Sequence, residues 1–232
     1  MRIKLYDCFK HWQEKGSIYV LGDTHFGDSD KYSIDMNWPT DDEHVDIINK
    51  VVHKNDCLII LGDVGDIEYV KKLKGYKILI MGNHDKGASN YIKKYSIING
   101  ETKEVYEVEN TDKEFVKWRK SEMFALTPGV YPYARIIDNK LFDEVYEGPL
   151  FISDKIILSH EPIKLNFGIN VYGHCHNGVH RTEWANENTM FNVASNVIGY
   201  TPMRLDRLIK GTNCATIHRQ TIDKAIFNKK ED

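Results

Sequence analysis

The stretch Cys57-Leu58-Ile59-Ile60-Leu61-Gly62-Asp63 decides how this chain is read: an unbroken apolar run, a glycine, then a carboxylate. A continuous run of this length suits a strand buried on both faces, and such strands belong to sheets covered by helices. The same form recurs elsewhere. Ser17–Leu21 leads into Gly22-Asp23-Thr24-His25, and Lys77–Met81 into Gly82-Asn83-His84-Asp85. Lys155–Leu158 leads into Ser159-His160-Glu161-Pro162, and Ile169–Tyr172 into Gly173-His174-Cys175-His176. A sheet gathers its strand ends along one edge, so side chains distant in sequence can converge there on a single cleft.

Working outward, Met190–Ala194 is a further strand candidate, and helical patterns separate the early strands. Thr40-Asp41-Asp42-Glu43 has the form of a capping box, followed by Val45, Ile48 and Val52 at helical spacing. Ile67, Val70 and Leu73 repeat that period ahead of Gly75, a good helix stop. Strand, helix, strand, helix, strand is the order of an α/β fold. The 232 residues suit a single domain, 1–232, with an insertion at about 99–140. That interval follows the polar break Asn99-Gly100-Glu101 and holds a second capping box, Thr111-Asp112-Lys113-Glu114. A helix bearing Phe115 and Trp118 is expected next, then the loop Thr127–Tyr133.

The bulk composition excludes several functions. Hydrophobic residues make up 41% and charged residues 28%, ordinary values for a globular chain. Net charge is −3, from 31 basic and 34 acidic side chains well mixed, which argues against long nucleic acid as a partner. The basic groups Lys71-Lys72-Leu73-Lys74 and Lys117-Trp118-Arg119-Lys120 read as solvated helix faces. Met1–Lys15 has no apolar core of the signal-peptide kind, and no run is long enough to span a bilayer. Four cysteines (Cys8, Cys57, Cys175, Cys214) show no pair spacing, so a reducing, cytoplasmic location is expected.

Any one of the strand-end motifs is a common turn. Their joint occurrence is not: five of the ten histidines fall in them, each after an apolar run. The donors are nitrogen and oxygen without thiolate, a set that suits Mn, Fe, Zn, Co or Ni, with Mn or Fe favoured, rather than a cysteine-built structural zinc site. They outnumber what one ion takes and suit two ions sharing a carboxylate. Gly22, Gly62, Gly82 and Gly173 are expected to turn the backbone sharply and bring the following side chain close to the ions.

Asp-x-His, Gly-Asp, Gly-Asn-His-Asp, a later His and Gly-His-x-His, in this order over residues 22–176, resemble the calcineurin-like metallophosphoesterase superfamily. Asp-Thr-His-Phe-Gly, Ser-His-Glu-Pro and the tail Asn192–Pro202 look like a small bacterial and phage subgroup of it. The resemblance implies a four-layer α/β/β/α sandwich of two mixed sheets. It assigns Asp23, His25 and His176 to one metal and Asn83, His160 and His174 to the other, with Asp63 bridging. His84 would face the scissile phosphate, as charge stabiliser or as proton donor to the departing oxygen. Asp66 stands where protein phosphatases of the superfamily place a carboxylate that orients this histidine, but the Arg-Gly that follows there is Ile67-Glu68 here. Asp66 is equally readable as the cap of the Ile67 helix. Asp85 reads as structural, Cys175 as a spacer, and His180 and Arg181 as candidate phosphate contacts.

The reaction so implied is two-metal hydrolysis of a phosphodiester or phosphomonoester by metal-activated hydroxide. The partner would be a small phosphoester, nucleotides included, with Trp118, Tyr131 or Tyr133 of the insertion available to stack on a base. The alternative is a catalytically inactive metal-binding scaffold of the same fold. Such relatives typically lose the histidine or several ligands; this chain retains them all.

Overall fold

A computed structural model of the chain describes residues 3–85, 141–165, 168–176 and 189–210, together with the backbone of strands at 93–98, 105–108 and 135–140. A 3-10 helix, Asp7–Gln13, leads into β1 (Ile18–Leu21), α1 (Lys31–Ile34), α2 (Asp41–Val51), β2 (Cys57–Leu61), α3 (Ile67–Val70) and β3 (Tyr76–Ile80). Next come β4 (Lys93–Ile98), β5 (Val105–Val108), β6 (Arg135–Lys140), β7 (Glu144–Tyr146) and β8 (Leu150–Ser153). The chain continues through β9 (Ile156–Ser159), β10 (Ile169–Tyr172), β11 (Met190–Asn192), β12 (Met203–Arg204) and a last helical turn, Leu205–Leu208.

Two mixed sheets form the body. One has the order β12-β1-β2-β3-β7, parallel except for β12; the other is β11-β10-β9-β8, parallel except for β8. Alternation along each strand sets the layers. Ile18, Val20, Ile59, Leu61, Ile78 and Ile80 of the first sheet pack with Ile156, Leu158, Ile169 and Val171 of the second. Their neighbours Leu58, Ile60 and Leu79 point the other way, onto Val45, Ile48 and Val52 of the α2 segment. Each such side chain contributes roughly 1.5–3 kcal/mol on burial, so the sandwich is held by both faces of β2 at once. The expected α/β fold of two mixed sheets with helices is the one found.

All six expected strands form, with ends shifted by a residue or two. The capping box at Thr40 is present: its hydroxyl accepts from the Glu43 amide, and the Glu43 carboxylate accepts from the Thr40 amide at 2.9 Å. The third helix is shorter than its apolar spacing predicts. It stops at Val70, and Leu73 reaches the core from the turn that follows.

Strands β4 to β8 and β12 were not expected. Strand β7 has no apolar run; its Glu144 carboxylate instead accepts from Trp12 Nε1 at 2.9 Å and from the Tyr76 hydroxyl at 2.8 Å, which fixes the sheet edge. Strands β5, β4 and β6 form a separate antiparallel sheet in that order. Because β4 begins at Lys93, this unit starts before the expected boundary at about 99. The helix expected after Thr111 lies outside the described residues.

Candidate metal centre

Parallel strands bring the motifs together. The turns after β1, β2 and β3 leave the same edge of the first sheet, and those after β9 and β10 leave the matching edge of the second. The two edges are joined directly: the Gly22 amide donates to Val193 O at 2.7 Å, and the His174 amide to Asp23 Oδ2 at 2.8 Å. Within the first sheet, Asp23 N donates to Gly62 O and His25 N to Asp63 O, each at 3.0 Å.

The backbone here is unusual. Asp23 (φ 57°), His25 (44°), Asp63 (50°) and His174 (64°) all occupy the left-handed region, which costs a non-glycine residue roughly 1–2 kcal/mol. The glycines were expected to do this turning, and at Gly62 (φ 82°) one does. At Gly22 and Gly173 the left-handed residue is instead the ligand candidate that follows. Gly173 is required for a different reason: a Cβ there would overlap the Asp23 carboxylate.

Six of the seven expected ligands fall into two groups. Donor atoms of Asp23, His25 and His176 lie within 4.8 Å of one another, and so do those of Asp63, His160 and His174. The seventh, Asn83, joins the second group, its Oδ1 2.8 Å from His160 Nε2. Asp63 stands between them, with Oδ2 3.4 Å from His160 Nε2 and 4.0 Å from His25 Nε2.

These residues fit metal ions on three observations. His160 Nδ1 donates to Leu61 O at 2.9 Å, so in the neutral ring Nε2 holds a lone pair. That lone pair meets the oxygens of Asn83 and Asp63, acceptors that a cation would satisfy, and lies 3.1 Å from His174 Nδ1. His25 Nε2 is buried with no hydrogen-bond partner among the described residues. Burial pushes the Asp23 carboxyl well up; the His174 amide opposes this, and the charges of Asp63 and Asp85 add to it. Burial likewise pushes the His25 and His174 imidazoles down, toward the neutral form that ligation requires.

The neighbouring residues sort clearly. Asp85 is structural: Oδ2 accepts from the amides of Asp63 (2.9 Å) and Gly82 (2.8 Å), and Oδ1 from that of Val64 (3.0 Å). It ties the β3 turn to the β2 turn. His84 donates its amide to Asp63 Oδ1 at 3.0 Å, while its side chain is 70% exposed at the mouth, Nε2 3.9 Å from Asp63 Oδ2. Asp66 caps α3, accepting from the Glu68 amide at 2.9 Å, and no contact with His84 is present among the described residues. Of its two expected readings, the cap of the Ile67 helix is the one present. Cys8, Cys57 and Cys175 are free thiols. His180, Arg181, Trp118, Tyr131 and Tyr133 lie outside the described residues. No helix among the described residues is long and apolar enough to cross a membrane.

Two contributors went unnoticed in the sequence. Trp38, 3% exposed, packs its ring 5.9 Å from those of both His25 and His176. Asn196 hydrogen-bonds His176. Trp38 follows no apolar run, so no pattern marked it, and Asn196 was visible only as part of the tail Asn192–Pro202.

A family model described as calcineurin-like phosphoesterase matches residues 16–194, a span that includes every strand-end motif. No curated protein matches the chain. Among solved structures, that of the protein of unknown function AQ665 from Aquifex aeolicus is similar, at 22% identity and a TM-score of 0.52. The match covers 84% of this chain and 98% of that one, and at such identity it bears on the fold alone. With its motifs gathered at one sheet junction and more than half its length matched, the chain belongs to the calcineurin-like phosphoesterase family.

Proposed function

We propose that the chain is a two-metal phosphoesterase, cleaving a phosphodiester or phosphomonoester with water. The single observation that supports this most is the pair of donor clusters with the Asp63 carboxylate between them. Asp23, His25 and His176 would hold one ion, and Asn83, His160 and His174 the other. When bound, such ions supply Lewis acidity, which makes water a nucleophile near neutral pH and offsets charge on the phosphoryl oxygens. Mn or Fe is favoured over Zn, Co or Ni.

The protein's own contribution is placement. Leu61 O holds His160 in the tautomer that leaves Nε2 free. Asp85 locks the β2 and β3 turns so that Asp63, Asn83 and His84 keep their spacing. His84, exposed beside Asp63, faces where a phosphate would enter; there it stabilises developing charge or delivers a proton to the departing oxygen. No covalent phosphoenzyme is needed. Substrates would be small phosphoesters, nucleotides among them.

The test is a panel of a bis-aryl phosphodiester, an aryl phosphomonoester and nucleotides, assayed with added Mn²⁺. Hydrolysis of at least one that is lost in the Asp63→Ala protein is the expected result. Stoichiometric metal with no turnover across the panel would return the chain to the inactive scaffold.

A further inference from the structure

The segment after β11 bears none of the expected ligands, yet it touches both turns that build the first cluster. Ser195 donates through its amide (2.9 Å) and its hydroxyl (2.6 Å) to Gly22 O, just before Asp23. Asn192 Nδ2 donates to Cys175 O at 2.6 Å. Asn196 then makes a two-point contact with one residue: Nδ2 donates to His176 O at 2.5 Å, and Oδ1 lies 3.0 Å from His176 Nδ1.

The pairing has only one consistent sense. A carbonyl oxygen accepts and cannot donate, so the bond to His176 O fixes which end of the Asn196 amide bears nitrogen. Oδ1 must then face the ring, and being an acceptor it requires a hydrogen on Nδ1. The lone pair of the neutral imidazole is left on Nε2, the atom 3.9 Å from Asp23 Oδ1. Ring contacts with His25 (5.2 Å between centroids) and Trp38 (5.9 Å) hold the imidazole plane. The family match ends at Ala194, two residues short of Asn196.

We infer that Asn196 is the positioning residue of the first cluster, fixing the tautomer and orientation of His176 and thereby that cluster's affinity for its ion. The inference rests on His176 being a ligand, as proposed above. Residues that orient ligating histidines in this way commonly alter metal affinity by about 10–100-fold.

Two measurements test it. In the metal-free protein, long-range ¹H–¹⁵N NMR is expected to show His176 as the Nδ1–H tautomer, and a mixture of tautomers in Asn196→Ala. Calorimetric titration with Mn²⁺ is expected to show one of two binding events weakened about 10–100-fold in that variant, the other unchanged, in a metal-free protein that still unfolds cooperatively. An Nε2–H tautomer in the wild-type protein, or two unaltered affinities in the variant, overturns the role of Asn196. Absence of Mn²⁺ binding by the wild-type protein instead sinks the two-metal reading, while the NMR result still judges the Asn196–His176 pair.

Discussion

The two donor clusters lie on either side of Asp63 but meet solvent differently. Asp23 is fully buried, His25 is 7% exposed, and both sit with His176 behind Trp38. In the other cluster His160 is buried, but Asn83, His174 and the neighbouring His84 are exposed. One side is organised by the fold: packed aromatic rings, a locked imidazole, a desolvated carboxylate. The other is the open face, where in the proposed reaction a phosphate would meet the exposed donors and His84. In a two-metal reading the enclosed half would retain its ion, and the open half would exchange ions and receive substrate.

The most severe test of the shared carboxylate is Asp63→Ala. Both binding events are expected to disappear in calorimetry and turnover to fall by about 10³-fold, the scale of losing a central electrostatic contact. Retention of one normal binding event would confine Asp63 to a single cluster and break the comparison at its centre.

The packing behind the enclosed side gives a second test. His44 is fully buried, with both ring nitrogens unpartnered among the described residues, against Phe26 and Tyr200; Tyr200 in turn contacts Trp38. Burial, with help from the Lys31 charge, pushes its pKa down from 6.5 to about 4. The unfolded chain therefore takes up this proton first. Stability is intact above about pH 6.5 and is lost as pH falls toward 4, by about 3 kcal/mol in all. Denaturant unfolding of the metal-free protein is expected to show this acid loss, and His44→Phe to remove most of it. A wild-type-to-variant difference that stays constant from pH 7 to pH 4 would sink this account.

On the open side, His84→Ala is expected to lower kcat by about 10²-fold or more while both ions remain bound, as metal analysis and turnover can show together. Unchanged turnover would leave this face without a catalytic group. The smallest effect is the asymmetry itself. Chelator titration should strip one ion at a concentration about tenfold below that needed for the other, a difference of about 1.4 kcal/mol. His160→Ala should abolish the weaker event and His25→Ala the stronger. Simultaneous loss of both ions in the wild-type protein would show that exposure does not sort them.

The legible part of the molecule was the part written in apolar runs. Strands such as Cys57–Leu61 announce themselves because both faces are buried, and the side chains that follow them were placed at one edge by topology alone. Strand β7 escaped notice because Glu144 is held by hydrogen bonds rather than by hydrophobic burial. Asp66 was readable in two ways because a carboxylate before a helix can serve either an amide or an imidazole; only coordinates separate them. The left-handed backbone at Asp23 and His174 was assigned one residue too early, since a glycine in a motif looks the same whether it supplies torsional freedom or empty space. Asn196 was unreadable because its meaning lies in which carbonyl it meets.

The direct bonding of the two sheet edges has a mechanical consequence. Asp23 and Asp63 come from one sheet, His160, His174 and His176 from the other, so an ion held by either group would rivet the sheets across their seam. Cations that bind only the folded chain raise its stability by mass action, by about 4 kcal/mol at a thousandfold excess over Kd. Ions so held would thus clamp the sandwich at the end where the turn after β1 meets the segment after β11.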